Sequence, residues 1–531
     1  MRGSAAAALT VSVTLAAVAS GPLAAQSKPD PDINQKIRQE EQRHSEILRT
    51  LHVLTDVHGP RLTGSPHLRA AAEWAVRTMS AEWGFDSGRL EPWEFGHPGW
   101  ANERVTAHMR SPVNDQLTVE VLAWSPGTNG AVTAPAVQLA APVRPTEAEL
   151  DAYLDGMRAA VRGRIVLASR SIAVPVAPTR RPTRRDEDDL RRRYDPAAQA
   201  LVPPPSALTA VAPLPGQMSR ASISRRIDEF LVANGALLRV NDAGRELGQI
   251  AAFHNGTYDI TRVVPTVVMR NEDYGRIARI LADGTPVTLE FEVVNTLYPE
   301  GRTAYNAIAE IEGTDKKDEV VMLGGHLDSW QSATGATDNA IGCAVMMEAA
   351  RLLKVLGVMP RRTIRVALWS GEEQGLLGSQ AYVRQHFGSF EEPKPDHARL
   401  AAYLNLDAGT GRVRGAMVFG PPAAAAVVGA LLAPFANLGV VGAAATNRRI
   451  IGNTDSSTFN AAGLPGISFD QDPIEYDIAT HHTNLDTYER IVEEDVRASA
   501  VVVAALVYEL AMRDQLLPRF DQRTMPVGTW R

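Results

Sequence analysis

Two carboxylates, Glu372 and Glu373, stand side by side where the apolar run Val366–Trp369 ends, in VALWSGEEQG. Seen alone, such a pair is a solvated turn. Other acids and imidazoles, however, recur after successive apolar runs. His326 and Asp328 follow EVVMLGG as H-L-D, Asp338 opens DNAIGC, Asp407 closes RLAAYLNLD, and THHTNLDT carries His481, His482 and Asp486. Each has an ordinary reading by itself: Asp338 as a helix cap, Asp328 and Asp407 as turn residues, and Asp486 as the cap of the last helix. His326 is harder to dismiss, because paired glycines bring backbone close to an imidazole, a common metal ligand. Two imidazoles with several carboxylates and no thiolate set suit zinc in an open catalytic site. Five ligands exceed the three of a single catalytic zinc. A carboxylate bridging two ions about 3.5–4 Å apart leaves two terminal ligands for each.

The elements that must hold these residues alternate between strand and helix. EVVMLGGHLDSW, RTIRVALWS, RLAAYLNLD, GAMVFG and LPGISFD read as buried strands, and the helix DNAIGCAVMMEAARLLKVLG stops at Gly357. This pattern predicts an α/β fold, a mixed, mainly parallel sheet sandwiched by helices, whose ligands bind outside the strands' carboxyl ends. Residues 299–515 form this unit, followed by a tail at 516–531. Residues 26–105 read as its helical N-terminal part, with Ser65 as N-cap and Pro66 first in a helix reaching about Trp83. Between them, residues 106–298 switch to short strands and read as a β-rich insert. The charge run RRDEDDLRRRYD within the insert is expected as an exposed helix or loop.

The chain has 531 residues, 45% hydrophobic and 22% charged, and a net charge of −7, which gives no electrostatic reason for nucleic acid or an anionic membrane as partner. Cys343 is its only cysteine, so no internal disulfide forms. Residues 1–25 have a basic start, a short apolar run and a small-residue exit, as a signal peptide does. That run falls short of the roughly 20 residues of a membrane span, so a stable anchor is not expected and the protein is placed outside the cell or in a periplasm.

H-x-D, D-N, E-E, N-x-D and H-T-x-x-D-T in this order, with GNTDSSTFNAAGLP before the last, resemble the co-catalytic di-zinc aminopeptidase family. The resemblance is strong over residues 300–510, and the preceding region is similar to the protease-associated insert of the carboxypeptidase Q-like branch. It implies two zinc ions bridged by Asp338, with His326 and Asp407 on one and Glu373 and His482 on the other. It further implies Glu372 as general base toward a metal-bound water, Asp328 as hydrogen-bond acceptor for His326, and Asp455 near the substrate pocket. The expected activity is hydrolysis of short peptides from a free terminus, as an aminopeptidase or a carboxypeptidase Q-like dipeptidase. Two alternatives share the fold: a non-catalytic receptor-like module, which loss of ligands would favour, and a glutaminyl cyclase-like enzyme, which uses one zinc. The sequence leaves a homodimer open.

Overall fold

The computed structural model describes residues 30–179, 181–195 and 216–528. The expected signal segment, residues 1–25, lies outside the described residues. No helix among the described residues is long and apolar enough to cross a membrane.

An eight-stranded sheet forms the centre, in the order Ser87–Glu94, Thr303–Ile311, Arg362–Trp369, Lys316–His326, Leu400–Asn405, Gly466–Gln471, Val413–Phe419 and Gly442–Thr446. The four central strands run parallel, as does the edge pair Val413–Phe419 and Gly442–Thr446. The remaining pairs are antiparallel, so the sheet is mixed. Successive residues of a strand face opposite sides, and each side has its own core. Val321, Leu323, Val366 and Leu368 pack under the helices Ile341–Val355 and Glu493–Met512, which also contact the N-terminal helix Pro31–His44. Met322, Trp369 and Tyr403 face the aromatic cluster of Tyr382, Phe387 and Phe459, supplied by the other helical layer. Lys316–His326 is flanked so closely that a Cβ on Gly324 would lie 1.8 Å from the carbonyl oxygen of Ala367.

Residues 87–105, expected as part of a helical N-terminal region, are mostly strand. Ser87–Glu94 edges the central sheet, and Gly99–Ser111 already belongs to the next one, so the insert opens at Gly99 rather than at residue 106. The signal was weak because Ser87–Glu94 alternates imperfectly and leaves one end in water. The helix from Pro66 begins as expected, with Ser65 Oγ accepting from the Leu68 amide at 3.2 Å, and continues as a π-turn to Glu82.

The second sheet also has eight strands, with the long pair Gly99–Ser111 and Thr288–Tyr298 near one edge. Residues 181–195 leave it and return to the central unit. Arg184 pairs with Asp472 and Asp495, the Arg185 guanidinium donates to the Gln471 carbonyl at 2.7 Å, and the Tyr194 hydroxyl donates to Asp470 at 2.9 Å. The expected exposed helix therefore exists, as Glu187–Tyr194, but Leu190 and Tyr194 are buried against Ala444 and the segment is clamped at both ends.

Candidate metal centre

His326 ends its strand, Glu372 and Glu373 follow Arg362–Trp369, and Asp407 follows Leu400–Asn405, so three neighbouring parallel strands deliver side chains to one edge. Asp338 arrives from the turn Ala336–Ala340, before the helix Ile341–Val355, in an extended conformation (φ −131°, ψ 86°). His482 comes from the loop ahead of the last helix, at φ 59°. Asp338 divides its carboxylate between two groups. Its Oδ1 lies 3.2 Å from His326 Nε2, which is also 3.2 Å from Asp407 Oδ1. Its Oδ2 lies 3.0 Å from His482 Nε2, which is also 3.0 Å from Glu373 Oε2. His481 Nε2 stands 3.9 Å from the same Oδ2, and its ring lies against that of His482 with centroids 3.8 Å apart and a 35° tilt.

These residues fit metal better than they fit one another. Glu373 Oε1 is buried with no hydrogen-bond partner among the described residues, and Asp338 Oδ2 faces His482 at 3.0 Å without good hydrogen-bond geometry. A buried charged oxygen left unpaired is costly. Burial by itself lowers the pKa of His326, yet Asp407, Glu372 and Asp338 hold it well above an ordinary histidine. His482, also opposed by burial, is pushed up to about 10 by Glu373 and Asp338. Burial and Asp338 push the Glu373 carboxyl up to about 7. Carboxylates thus outnumber the cations available to them, and divalent ions are the natural complement to such an oxygen and nitrogen donor set.

The Glu372 carboxylate makes no hydrogen bond to any described residue. Burial, together with Asp407, Glu373 and Asp455, holds its pKa well above the usual carboxylate range. Positive charge placed among these oxygens lowers it again.

Several residues fix the ligands. His326 Nδ1 donates to the Asp328 backbone carbonyl at 2.9 Å, while the Asp328 carboxylate stays 3.8 Å away. The acceptor that Asp328 offers His326 is thus its backbone carbonyl and not its carboxylate. The H-L-D turn presents its carbonyl to the ring and turns the carboxylate to the neighbouring strand. There Oδ1 accepts from the Glu372 amide and Oδ2 from the Glu373 amide, each at 3.2 Å, with Thr63 Oγ1 on Oδ2 at 3.1 Å. Asp486 is likewise corrected from helix cap to positioning residue, since its carboxylate accepts from the Thr337 and Asp338 amides at 2.5 and 3.1 Å. Asp455 is fully buried, near enough to Glu372 for its charge to raise that carboxyl, and burial pushes its own carboxyl up to about 7.

Arg61 lies in the turn HGPRLTGSP (residues 58–66), with no spacing that ties it to the other site residues. It is wholly buried and donates to four backbone carbonyls, those of Leu327, Leu54, Thr334 and Gly335, at 2.7–2.9 Å. It thereby ties the loop after His326 to the turn before Asp338. Only its place beside Thr63 between glycines and prolines hinted at a fixed backbone.

Residues 306–507 match the model described as Peptidase family M28. Carboxypeptidase Q of Mus musculus is 27% identical over 473 residues, which covers 88% of this chain and 86% of that protein. Among solved structures, a peptidase M28 precursor from Shewanella amazonensis is similar with a TM-score of 0.62 at 24% identity, covering 92% of this chain and 99% of that one. A zinc aminopeptidase from Bacillus subtilis is similar with a TM-score of 0.54 at 19% identity, covering 90% and 98%. Both structural likenesses speak to the fold.

Proposed function

We propose that this chain, whose residues 306–507 match the model described as Peptidase family M28, is a member of that family and a secreted two-zinc exopeptidase acting on short peptides. The observation that carries the reading is the divided carboxylate of Asp338, with one imidazole and one further carboxylate on each side. His326, Asp407 and Asp338 Oδ1 would hold one zinc, and His482, Glu373 and Asp338 Oδ2 the other. Bound there, zinc supplies Lewis acidity toward a carbonyl oxygen and acidifies water.

The chain's own residues do the rest. Glu372 takes a proton from the attacking water on its carboxylate and returns it to the leaving amine nitrogen as the C–N bond breaks. Asp328 holds the backbone of both glutamates, so that Glu373 turns to the ligand cluster while Glu372 stays free to move a proton. His326 is kept in one tautomer by the Asp328 carbonyl. Asp455 contributes charge near Glu372. The sheet from Gly99 to Tyr298 is read as a protease-associated-like insert. Likeness to carboxypeptidase Q over most of both chains supports a dipeptidase or aminopeptidase. The basic and apolar start of residues 1–25 supports export.

The receptor-like and cyclase-like readings each predict missing ligands, whereas both triads and Glu372 are present here. The test is release of amino acids from a panel of free dipeptides and N-blocked peptides, before and after zinc is removed by chelation and restored. Turnover that survives complete metal removal would sink the mechanism. Preference for N-blocked over free peptides would exclude an aminopeptidase.

A further inference from the structure

The insert reaches the ligand cluster through one loop, residues 247–257, and this loop is fastened rather than merely adjacent. The Ile250 amide donates to Asn484 Oδ1 at 2.8 Å, and the Asn484 amide returns a bond to the Ile250 carbonyl at 2.9 Å, two residues beyond His482. From the other side, the Gln331 side-chain amide donates to the carbonyls of Val121 and Ala252 at 2.8 and 3.0 Å, and Ser332 Oγ donates to Ala252 at 3.3 Å. Between these anchors sits Phe253. Its ring meets His482 edge-to-face with centroids 5.3 Å apart, and meets Trp330 in the same way at 5.3 Å. Trp330 lines the pocket that also contains Asp338, Glu373 and His482.

Phe253 nevertheless keeps 37% of its surface exposed. A large aromatic side chain held in a fixed position, part in water and one edge on a metal-ligand ring, is poor core packing. It is a surface ready to be covered by an apolar group. We infer that Phe253, with Trp330 behind it, is the apolar wall that receives the substrate side chain next to the scissile bond, so that the insert sets specificity at the peptidase site. The substrate class it selects is short peptides with a large aliphatic or aromatic residue at that position. This rests on the peptidase reading above and adds to it the residue that discriminates among peptides.

The experiment measures kcat/KM for the zinc-loaded full-length protein on dipeptides in which each residue flanking the scissile bond is in turn Gly, Leu or Phe. At one of the two positions the wild-type protein favours Leu or Phe over Gly. In Phe253→Ala that preference falls at least ~10-fold, through KM more than kcat, while bound zinc is unchanged. Phe253→Tyr, which keeps the ring, retains the preference, and Phe253→Val, which shortens it, gives an intermediate loss should the alanine variant not fold. Leu247→Ala, at a position of the same loop that is 79% exposed, keeps the wild-type ratio. An unchanged ratio in an active Phe253→Ala or Phe253→Val overturns this proposal alone. So does a loss of all peptide turnover in step with loss of zinc, which would make Phe253 a mere prop for His482. A wild-type protein that binds zinc but releases no amino acid from any dipeptide fails the peptidase reading, and this proposal with it.

Discussion

At the residue scale the divided carboxylate of Asp338 separates two kinds of damage. Asp338→Asn removes an oxygen charge facing both triads, so zinc per chain is expected to fall from about two to below one. Glu373→Ala leaves His326, Asp407 and Asp338 Oδ1 together, so it should retain about one. Metal analysis after dialysis against a weak chelator checks both. Two ions retained by Glu373→Ala would remove Glu373 from the ligand set. Glu372→Gln keeps the shape and loses only the ability to take a proton. Its kcat should fall by about 10²–10⁴ with zinc content and KM little changed, measured on the best dipeptide. Near-normal turnover would shift the proton transfer to another group. The different tasks proposed for the two adjacent glutamates came from the resemblance, since no spacing in the sequence distinguishes one from the other. Their separation here has a local cause, the two amides bound by the one Asp328 carboxylate.

At the element scale, Arg61 is a tie between loops that are more than 260 residues away in sequence. Arg61→Met leaves three buried carbonyls and one half-buried carbonyl without a donor, and the cost is expected to be at least about 3 kcal/mol, since each unmade buried bond costs about 1–3 kcal/mol. The denaturation midpoint of the zinc-loaded protein measures this, and Arg61→Lys, with a single shorter donor head, should recover only part. A loss under about 1 kcal/mol would mean water replaces the guanidinium. The contrast with the helix Ile341–Val355 shows what a sequence can reveal. That helix and the central strands are long apolar runs with clear stops, such as Gly357, and their order could be read directly. Ser87–Glu94 and Gly442–Thr446 are edge strands, one half in water and one rich in small residues, so neither carries a clear period. Arg61, Thr63 and Asp486 act on backbone groups far along the chain, and contacts of that kind leave no local pattern. The proposed ligands stood out in the sequence because chemistry restricts their residue types. Their supports did not, because any donor or acceptor of the right reach would serve.

At the scale of the whole molecule, acids are concentrated around one cavity wall and the metal's absence should be felt globally. Glu373, Asp455 and Asp486 each have a pKa pushed up to about 7 by burial, from ordinary values of 4.5, 3.8 and 3.8. A carboxyl whose folded pKa is raised favours folding while protonated, and that contribution is lost as pH rises through about 7. The chelated protein should therefore melt at a lower temperature at pH 8 than at pH 6. Zinc must displace protons from its ligands, so the rise in melting temperature on adding zinc should be larger at pH 8. Equal shifts at both pH values would contradict the surplus of buried acid. The clamp of residues 181–195 predicts a second global effect. Arg184→Ala with Arg185→Ala strips partners from Asp470, Asp472 and Asp495, of which the last two keep Arg414 and Arg412. A loss of about 1–3 kcal/mol is expected, seen as an earlier thermal transition.

The residues around the candidate centre extend from Arg61 to Asp486, and His482 is the last of the proposed ligands in chain order. A growing polypeptide therefore has no complete second triad until synthesis has passed His482. The edge strand Ser87–Glu94 must likewise wait for Thr303–Ile311, about two hundred residues later, before it has anything to pair with. Hydrolytic capacity is thus expected only once synthesis has passed His482, and a chain stopped before that residue is expected to be inert.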